Sequence, residues 1–445
     1  MFFASLSCSP AVFLEIFSCS SPSLDSLPED HLLSFEFYQF SCVWTNMDDP
    51  FDSYPEEIKE CQQALMNNDP AAAAAKIQEY LEKQKNIPLN IAVTGETGSG
   101  KSSFVNAVRG IDDEDERAAP TGCVETTMEV TPYPHPKYPN VIFWDLPGIG
   151  TTNFPADKYL EHVGFEKFDF FIIISADRFR ENDVKLAQEI QKMEKKFYFV
   201  RSKIDHNIQD EKRSKKNFDA EKTLTRIRED CIQVLQKQGI EAPQVFLVSS
   251  FELHLYDFSL LHETLERELP DHKKNALLFA MPNINREIIK KKKEAFQAQI
   301  KYYAALSALV AGVPVPRLST TVDLGMMVAV IRKYLLGFGL DESSLQRLAG
   351  STGVPYEDLF AVIKSALALK QITVDLLQKL ITQIVSTGLL MITKEGSRFI
   401  PLIGFLVSVS LSFTATYKIL SLILNELADD AQRVFEKALG LDMAV

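Results

Sequence analysis

The first 46 residues contain no lysine and no arginine. A secretory signal needs a basic start, and this stretch also places Glu15 inside its apolar part, so a signal peptide is not the expected reading. Serine, phenylalanine and proline are frequent there. The expectation is a poorly structured extension over 1–46, with Met47 an alternative start and the extension itself a gene-model artefact. No glycine follows Met1 or Met47, so an N-myristoylation signal is lacking. Cysteine is scarce as well. The six present (Cys8, Cys19, Cys42, Cys61, Cys123, Cys231) have neither metal-ligand spacing nor the density of a disulfide framework. They fit a reducing, cytoplasmic setting. Positive charge is in deficit, with 47 basic against 60 acidic residues and a net charge of −13. That balance argues against a nucleic-acid partner, which requires a basic footprint. No repeat of 20–50 residues is apparent.

What remains is an ordinary globular composition, 46% hydrophobic and 24% charged, in a chain of 445 residues that has room for two or three domains. From Tyr54 to Lys85 apolar residues recur at three- and four-residue spacing around an alanine run, which predicts helix, stopped by Asn86-Ile87-Pro88. Residues 88–250 alternate. Strands are expected at Asn90–Thr94, Asn140–Asp145, Phe168–Ser175, Lys196–Arg201 and Gln244–Val248. Helices are expected at Ser102–Arg109, Pro155–Gly164, Glu181–Lys195 and Phe218–Gln238. Continuous apolar strands between helices predict a mostly parallel, doubly wound α/β sheet with its ligand at the strands' carboxyl ends. After about Leu253 helix follows helix: Asn283–Val310, Val322–Phe338, Asp341–Gly350, Val374–Ser386, Ile400–Leu424 and Glu426–Leu439. The uncharged stretch Phe399–Tyr417 has the length of a membrane span, but Pro401, Gly404 and five hydroxyl residues favour a buried bundle helix. The run Lys290–Lys293, with Arg286 nearby, offers a contact for anionic lipid, although a solvated helix face explains it more simply. An amphipathic segment around Val354–Gln371 offers a second such contact, equally explained by packing.

The chemistry sits in three motifs. Gly95-Glu96-Thr97-Gly98-Ser99-Gly100-Lys101-Ser102, followed by Ser103, matches G-x-x-x-x-G-K-[ST] between an expected strand and an expected helix. Its glycines let backbone N–H groups close on a phosphate; Lys101 reaches the β- and γ-phosphates and the Ser102 hydroxyl ligates Mg²⁺. Asp145-Leu146-Pro147-Gly148 ends a strand about 45 residues later, where the carboxylate can hold the metal and the Gly148 N–H can sense the γ-phosphate. Ser202-Lys203-Ile204-Asp205 follows another strand. An aspartate there accepts from guanine N1–H and its 2-amino group, a pair of donors that adenine lacks, so the nucleotide is GTP or GDP. Ser202 stands where asparagine is usual, which weakens one supporting hydrogen bond. Ser249, after the last strand, adds a weaker base contact. Between the first two motifs, Thr121, Thr126 and Thr127 compete to supply a switch threonine. Ile149 stands where small GTPases carry the glutamine that orients water, so intrinsic hydrolysis should be slow and a partner should complete the site.

Together with Phe170-Phe-Ile-Ile-Ile-Ser and Leu427-Ala-Asp-Asp-Ala-Gln-Arg-Val, these motifs make the chain from Met47 onward resemble the immunity-related (interferon-inducible) GTPases. The resemblance implies a Ras-like P-loop G domain over 87–255. It also implies an all-α helical domain built from 47–86 and 256–445. It places the chain in the branch that keeps the phosphate-loop lysine, and makes Lys101, Glu125 and Thr127 catalytic, with Glu125 acting across a dimer. Thr121 and Thr127 become switch residues, Thr121 joining Ser102 and Asp145 at the metal. GTP-dependent self-association through the G domain, peripheral contact with intracellular membranes and a role in cell-autonomous defence are further implications. The alternative is a nucleotide-gated scaffold that scarcely hydrolyses; an ATPase is disfavoured by Asp205.

Overall fold

In the computed structural model the described residues are 56–67, 69–122, 129–147, 163–311, 319–369, 372–382 and 413–440. Residues 1–46 and the expected helix Pro155–Gly164, but for its last two residues, lie outside them, as do 399–412 of the uncharged stretch. Six strands form one sheet: β1 (Leu89–Thr94), β2 (Thr131–Pro134), β3 (Val141–Asp145), β4 (Phe170–Ser175), β5 (Lys196–Arg201) and β6 (Val245–Leu247), in the order β2-β3-β1-β4-β5-β6. All neighbours are parallel except β2, which runs antiparallel to β3. β4 is buried along its whole length, the signature of a strand covered on both faces.

One face carries α3 (Lys101–Arg109), and on it also pack α7 (Phe258–Glu268) and α8 (Asp271–Ala280), through Phe104, Val108, Phe258, Leu265 and Leu277. Leu186, Ile190, Cys231 and Leu235 of α4 (Glu181–Lys192) and α6 (Ala220–Lys237) cover the other. Between them in the chain lies α5 (Ile204–Ser214).

β2 escaped the sequence reading because its sequence is Thr-Pro-Tyr-Pro. It is an edge strand, the place where prolines lacking a ladder N–H are tolerated. Arg109, the last residue of α3, fastens it by donating from Nε and Nη2 to the Pro134 carbonyl at 3.2 Å each. The expected helix over Tyr54–Lys85 is two helices, α1 (Glu56–Met66) and α2 (Pro70–Lys85). The break lies at Asp69-Pro70, where the Asp69 carboxylate caps α2 by accepting from the Ala72 N–H at 2.9 Å.

The later helices are α9 (Arg286–Ala311), α10 (Ser319–Gly337), α11 (Glu342–Thr352), α12 (Tyr356–Ala361), α13 (Ala366–Leu369), α14 (374–382) and α15 (Phe413–Ala438). The break expected between Leu424 and Glu426 is absent. α15 runs through it, antiparallel to α9, as shown by Arg286 paired with Glu436 at 2.9 Å at one end and Thr416 bonded to Ser307 at 3.2 Å at the other. Ile58, Cys61 and Ile77 from the first two helices pack on Tyr302, Ala305 and Leu309 of α9.

The lysine run does not form a patch. Four consecutive residues on a helix point in four directions about 100° apart. Lys291 pairs with Glu266 at 2.8 Å, and Lys292 is 2% exposed with its ammonium on the Met281 and Gly337 carbonyls at 2.6 and 2.9 Å. Burial, with Lys137 nearby, pulls Lys292 down to about 7. No helix of the described residues is long and apolar enough to cross a membrane.

Two buried histidines make the fold acid-sensitive. His135 accepts at Nδ1 from the Lys137 and Tyr138 N–H groups, and neither ring nitrogen of His262 has a partner among the described residues. Burial lowers both from 6.5 to about 3. Between those values the unfolded chain binds more protons than the folded one, so stability falls as pH drops below 6.5, by about 2 kcal/mol per histidine at pH 5. His262→Leu should abolish about half of that loss, measured as urea midpoints at pH 7 and pH 5, and leave stability at pH 7 equal or higher.

Candidate functional site

The site lies where β1, β3, β4, β5 and β6 end. β1 runs into Gly95, whose φ is +139°; a Cβ there would sit 2.0 Å from the Ile174 carbonyl oxygen of β4. Only glycine fits that approach. The loop then turns through Gly98 and Gly100, with φ of +80° and +91°, and Gly100 caps α3. The first-turn N–H groups of a helix have no helical carbonyl to bond, which suits the start of α3 to a phosphate. Lys101 is 6% exposed and arches back over its own loop, donating to the carbonyls of Gly95 at 3.2 Å and Glu96 at 3.0 Å.

Ser102, one residue on, donates its hydroxyl to Asp145 Oδ2 at 2.6 Å, from α3 to the end of β3. A hydroxyl and a buried carboxylate side by side are hard oxygen donors suited to Mg²⁺. Ser103 and Glu96 are half-buried, and Thr97 is exposed.

The other half of the cradle comes from the segment after β5. The Ser202 hydroxyl bridges to the Ser99 carbonyl at 2.6 Å and the Ser175 carbonyl at 3.3 Å. The weakened bond expected from the missing asparagine is therefore replaced by a short one to the phosphate loop itself. Lys203 takes a left-handed backbone, φ +55°, and its ammonium reaches the Gly98 carbonyl at 2.9 Å, which lays its stem along the loop. Asp205 stands in the first turn of α5, 9% exposed, and its Oδ1 has no hydrogen-bond partner among the described residues. A buried, unsatisfied carboxylate oxygen is an acceptor awaiting a donor. Ser249 is fully buried and accepts from the N–H groups of Phe251 and Glu252 at 3.2 Å each, so its hydroxyl shapes the loop.

The structure thus brings Gly95–Ser103, Asp145, Ser202, Lys203, Asp205 and Ser249 to one end of the sheet. Thr121 is exposed, with no hydrogen bond to Ser102 or Asp145 among the described residues. Glu125, Thr126, Thr127, Gly148 and Ile149 lie outside the described residues.

Sequence reasoning missed the β4–α4 loop. Arg180 pairs with Glu96 of the phosphate loop at 3.1 Å. Asp183, 1% exposed, accepts from the Arg180 N–H at 3.0 Å, and its Oδ1 has no hydrogen-bond partner among the described residues. Burial raises its carboxyl to about 6. The available signal was an aspartate three residues past the N-cap position, which reads as an ordinary cap.

A glycine-rich loop between strand and helix, a serine–aspartate oxygen pair and a base-side aspartate on a mostly parallel sheet define a P-loop G domain. The interferon-inducible GTPase family model matches residues 54–438, and the chain belongs to that family. It is 40% identical to interferon-inducible GTPase 5 of Rattus norvegicus over 87% of this chain and 83% of that one. It is 37% identical to interferon-gamma-inducible GTPase 10 of Mus musculus over 88% and 91%. Among solved structures, the FeoB G domain of Methanococcus jannaschii aligns with 41% of this chain and 97% of its own, at 18% identity and a TM-score of 0.25. Family membership and fold support GTP binding and hydrolysis as the general reaction.

Gly95→Ala places a Cβ against backbone that cannot yield. It should abolish nucleotide binding and lower stability by about 2 kcal/mol, read by equilibrium binding of a fluorescent GDP and by urea unfolding.

Proposed function

We propose that this chain is a GTP-hydrolysing switch whose turnover is activated by nucleotide-dependent self-association through the nucleotide face. The observation that carries the reading is the convergence of Lys101, the Ser102–Asp145 pair and the Asp205 carboxylate, whose Oδ1 has no partner among the described residues, at one end of the sheet. Asp205 accepts from the guanine edge while the Lys203 stem lies on the base. The phosphates take the N–H groups of the Gly95–Ser103 loop and the Lys101 ammonium, which leaves its two carbonyls for them. Ser102 and Asp145 would hold Mg²⁺, with Thr121 closing from the switch segment; bound there, the ion neutralises phosphate charge.

In hydrolysis a water oxygen bonds to the γ-phosphorus, the bond to the β–γ bridging oxygen breaks, and GDP leaves with phosphate. Lys101 stabilises charge on the leaving side. With Ile149 after Gly148, the residue that positions the water must come from elsewhere; Glu125, acting across the dimer, fills that role, with Thr127 as a switch residue beside it. Intracellular membranes and cell-autonomous defence are the setting that family membership suggests. Any membrane contact would be peripheral and made by a surface other than the dispersed Lys290–Lys293 run.

GTP turnover per molecule should rise with protein concentration. Lys101→Ala should abolish binding, and Glu125→Ala should retain binding but lose the concentration-dependent rise. Constant turnover from low to high concentration would falsify self-activation, and nucleotide binding with scarcely any turnover, unchanged by Glu125→Ala, would favour the scaffold reading. Asp205→Asn replaces two charge-assisted hydrogen bonds and should weaken GTP about 10- to 100-fold without improving ATP, checked by competition against a fluorescent guanine nucleotide.

A further inference from the structure

We propose that Phe251 covers the free face of the nucleotide base, opposite the Lys203 stem; this rests on the guanine-nucleotide reading above. Phe251 is 65% exposed, the most exposed large hydrophobic side chain among the described residues, with Leu255 four residues on at 40%. Its exposure is not that of a loose loop. The Ser249 hydroxyl holds the N–H groups of Phe251 and Glu252, the Leu255 N–H bonds the Glu252 carbonyl at 3.0 Å, and the Tyr256 hydroxyl meets Glu252 Oε2 at 3.4 Å. Asp257 closes the loop at its base, its carboxylate accepting from the Leu247 N–H at 2.8 Å and its own N–H donating to the Leu247 carbonyl at 2.9 Å. A braced loop therefore carries an aromatic ring in water.

Its position is set by the sheet. β5 and β6 are parallel neighbours, and the Ile204 N–H donates to the Val248 carbonyl at 3.3 Å, so the segments leaving the two strands lie side by side. Asp205 is one residue past that bond on one side, and Phe251 is three residues past it on the other. The far end of the loop returns to the same place, where the Tyr256 phenol feels the Asp205 carboxylate. A base held edge-on by Asp205, with one face on Lys203, has its second face toward this loop. Aromatic stacking there is indifferent to the pattern of donors on the base edge, because every base has a π-face.

The test measures binding of GDP, inosine diphosphate and inorganic tripolyphosphate to the full chain by competition with a fluorescent GDP. Phe251→Ala should weaken GDP and inosine diphosphate by the same factor, on the order of tenfold, leave tripolyphosphate unchanged, and be rescued by Phe251→Tyr. GDP affinity equal to wild type would overturn the proposal, including where the variant shifts only the concentration dependence of turnover and so marks a surface for a second copy. Equal loss for tripolyphosphate would also overturn it, as a disturbance of the loop. If the wild-type chain held GDP no better than tripolyphosphate, the guanine reading would fail and this one with it; if only the variant result failed, the guanine reading would stand.

Discussion

The backbone of Gly95 passes so close to the Ile174 carbonyl that no side chain can intervene. This contact fixes the level at which the phosphate loop leaves β1 and crosses the end of β4. Everything else in the site is referred to that level. Lys101 can fold back onto the Gly95 and Glu96 carbonyls only because the loop returns over its own start. Ser102 reaches Asp145 because α3 then begins beside β3, and Ser202 reaches Ser99 because β5 ends just beyond β4 on the other side. The sheet supplies the frame, and the glycine lets the loop sit tightly on it.

The same geometry explains what was legible in the sequence. The phosphate loop, Asp145 and Lys203–Asp205 could be read because each combines a residue type with a strand end, and both halves of that signal are local. The parallel strands could be read because burial on both faces demands continuous apolar runs. β2 could not, since an edge strand with two prolines has neither alternation nor apolar run. Its place depends on Arg109, which grips the Pro134 carbonyl from another element. Ser202 looked like a defect from sequence because the comparison was with asparagine alone. The partner that makes serine sufficient, the Ser99 carbonyl, lies 103 residues away. Asp183 looked like a cap and is one, but its second oxygen is buried close to the phosphate loop, which spacing cannot reveal.

The lysine run shows the converse error. Four adjacent charges look like a surface feature, yet helix geometry must turn at least one of them inward when the helix is packed on several sides. Lys292 is that residue, and two backbone carbonyls at the ends of neighbouring helices receive it. Those carbonyls belong to Met281 and Gly337, where helices end and the last turn leaves acceptors unsatisfied. A buried ammonium there satisfies them at the cost of its own desolvation, which is why its proton is held weakly.

Lys292 also marks where the sheet core and the helical core meet. The turn between β2 and β3 enters beside it: Lys137 pairs with Asp341 at the start of α11 at 2.5 Å, and Tyr138 lies over Phe279, itself stacked on Phe296 of α9. That turn is tied to the nucleotide site at its other end, because β2 is held by Arg109 and α3 begins at Lys101. One short helix therefore has the phosphate loop at its first residue and the strand leading to the helical core at its last. The Arg109 contact ties β2 to α3, and the Lys137 contact ties the turn after β2 to α11. The sheet and the helices more than 200 residues further along the chain are thus joined through a hairpin whose sequence reads as loop.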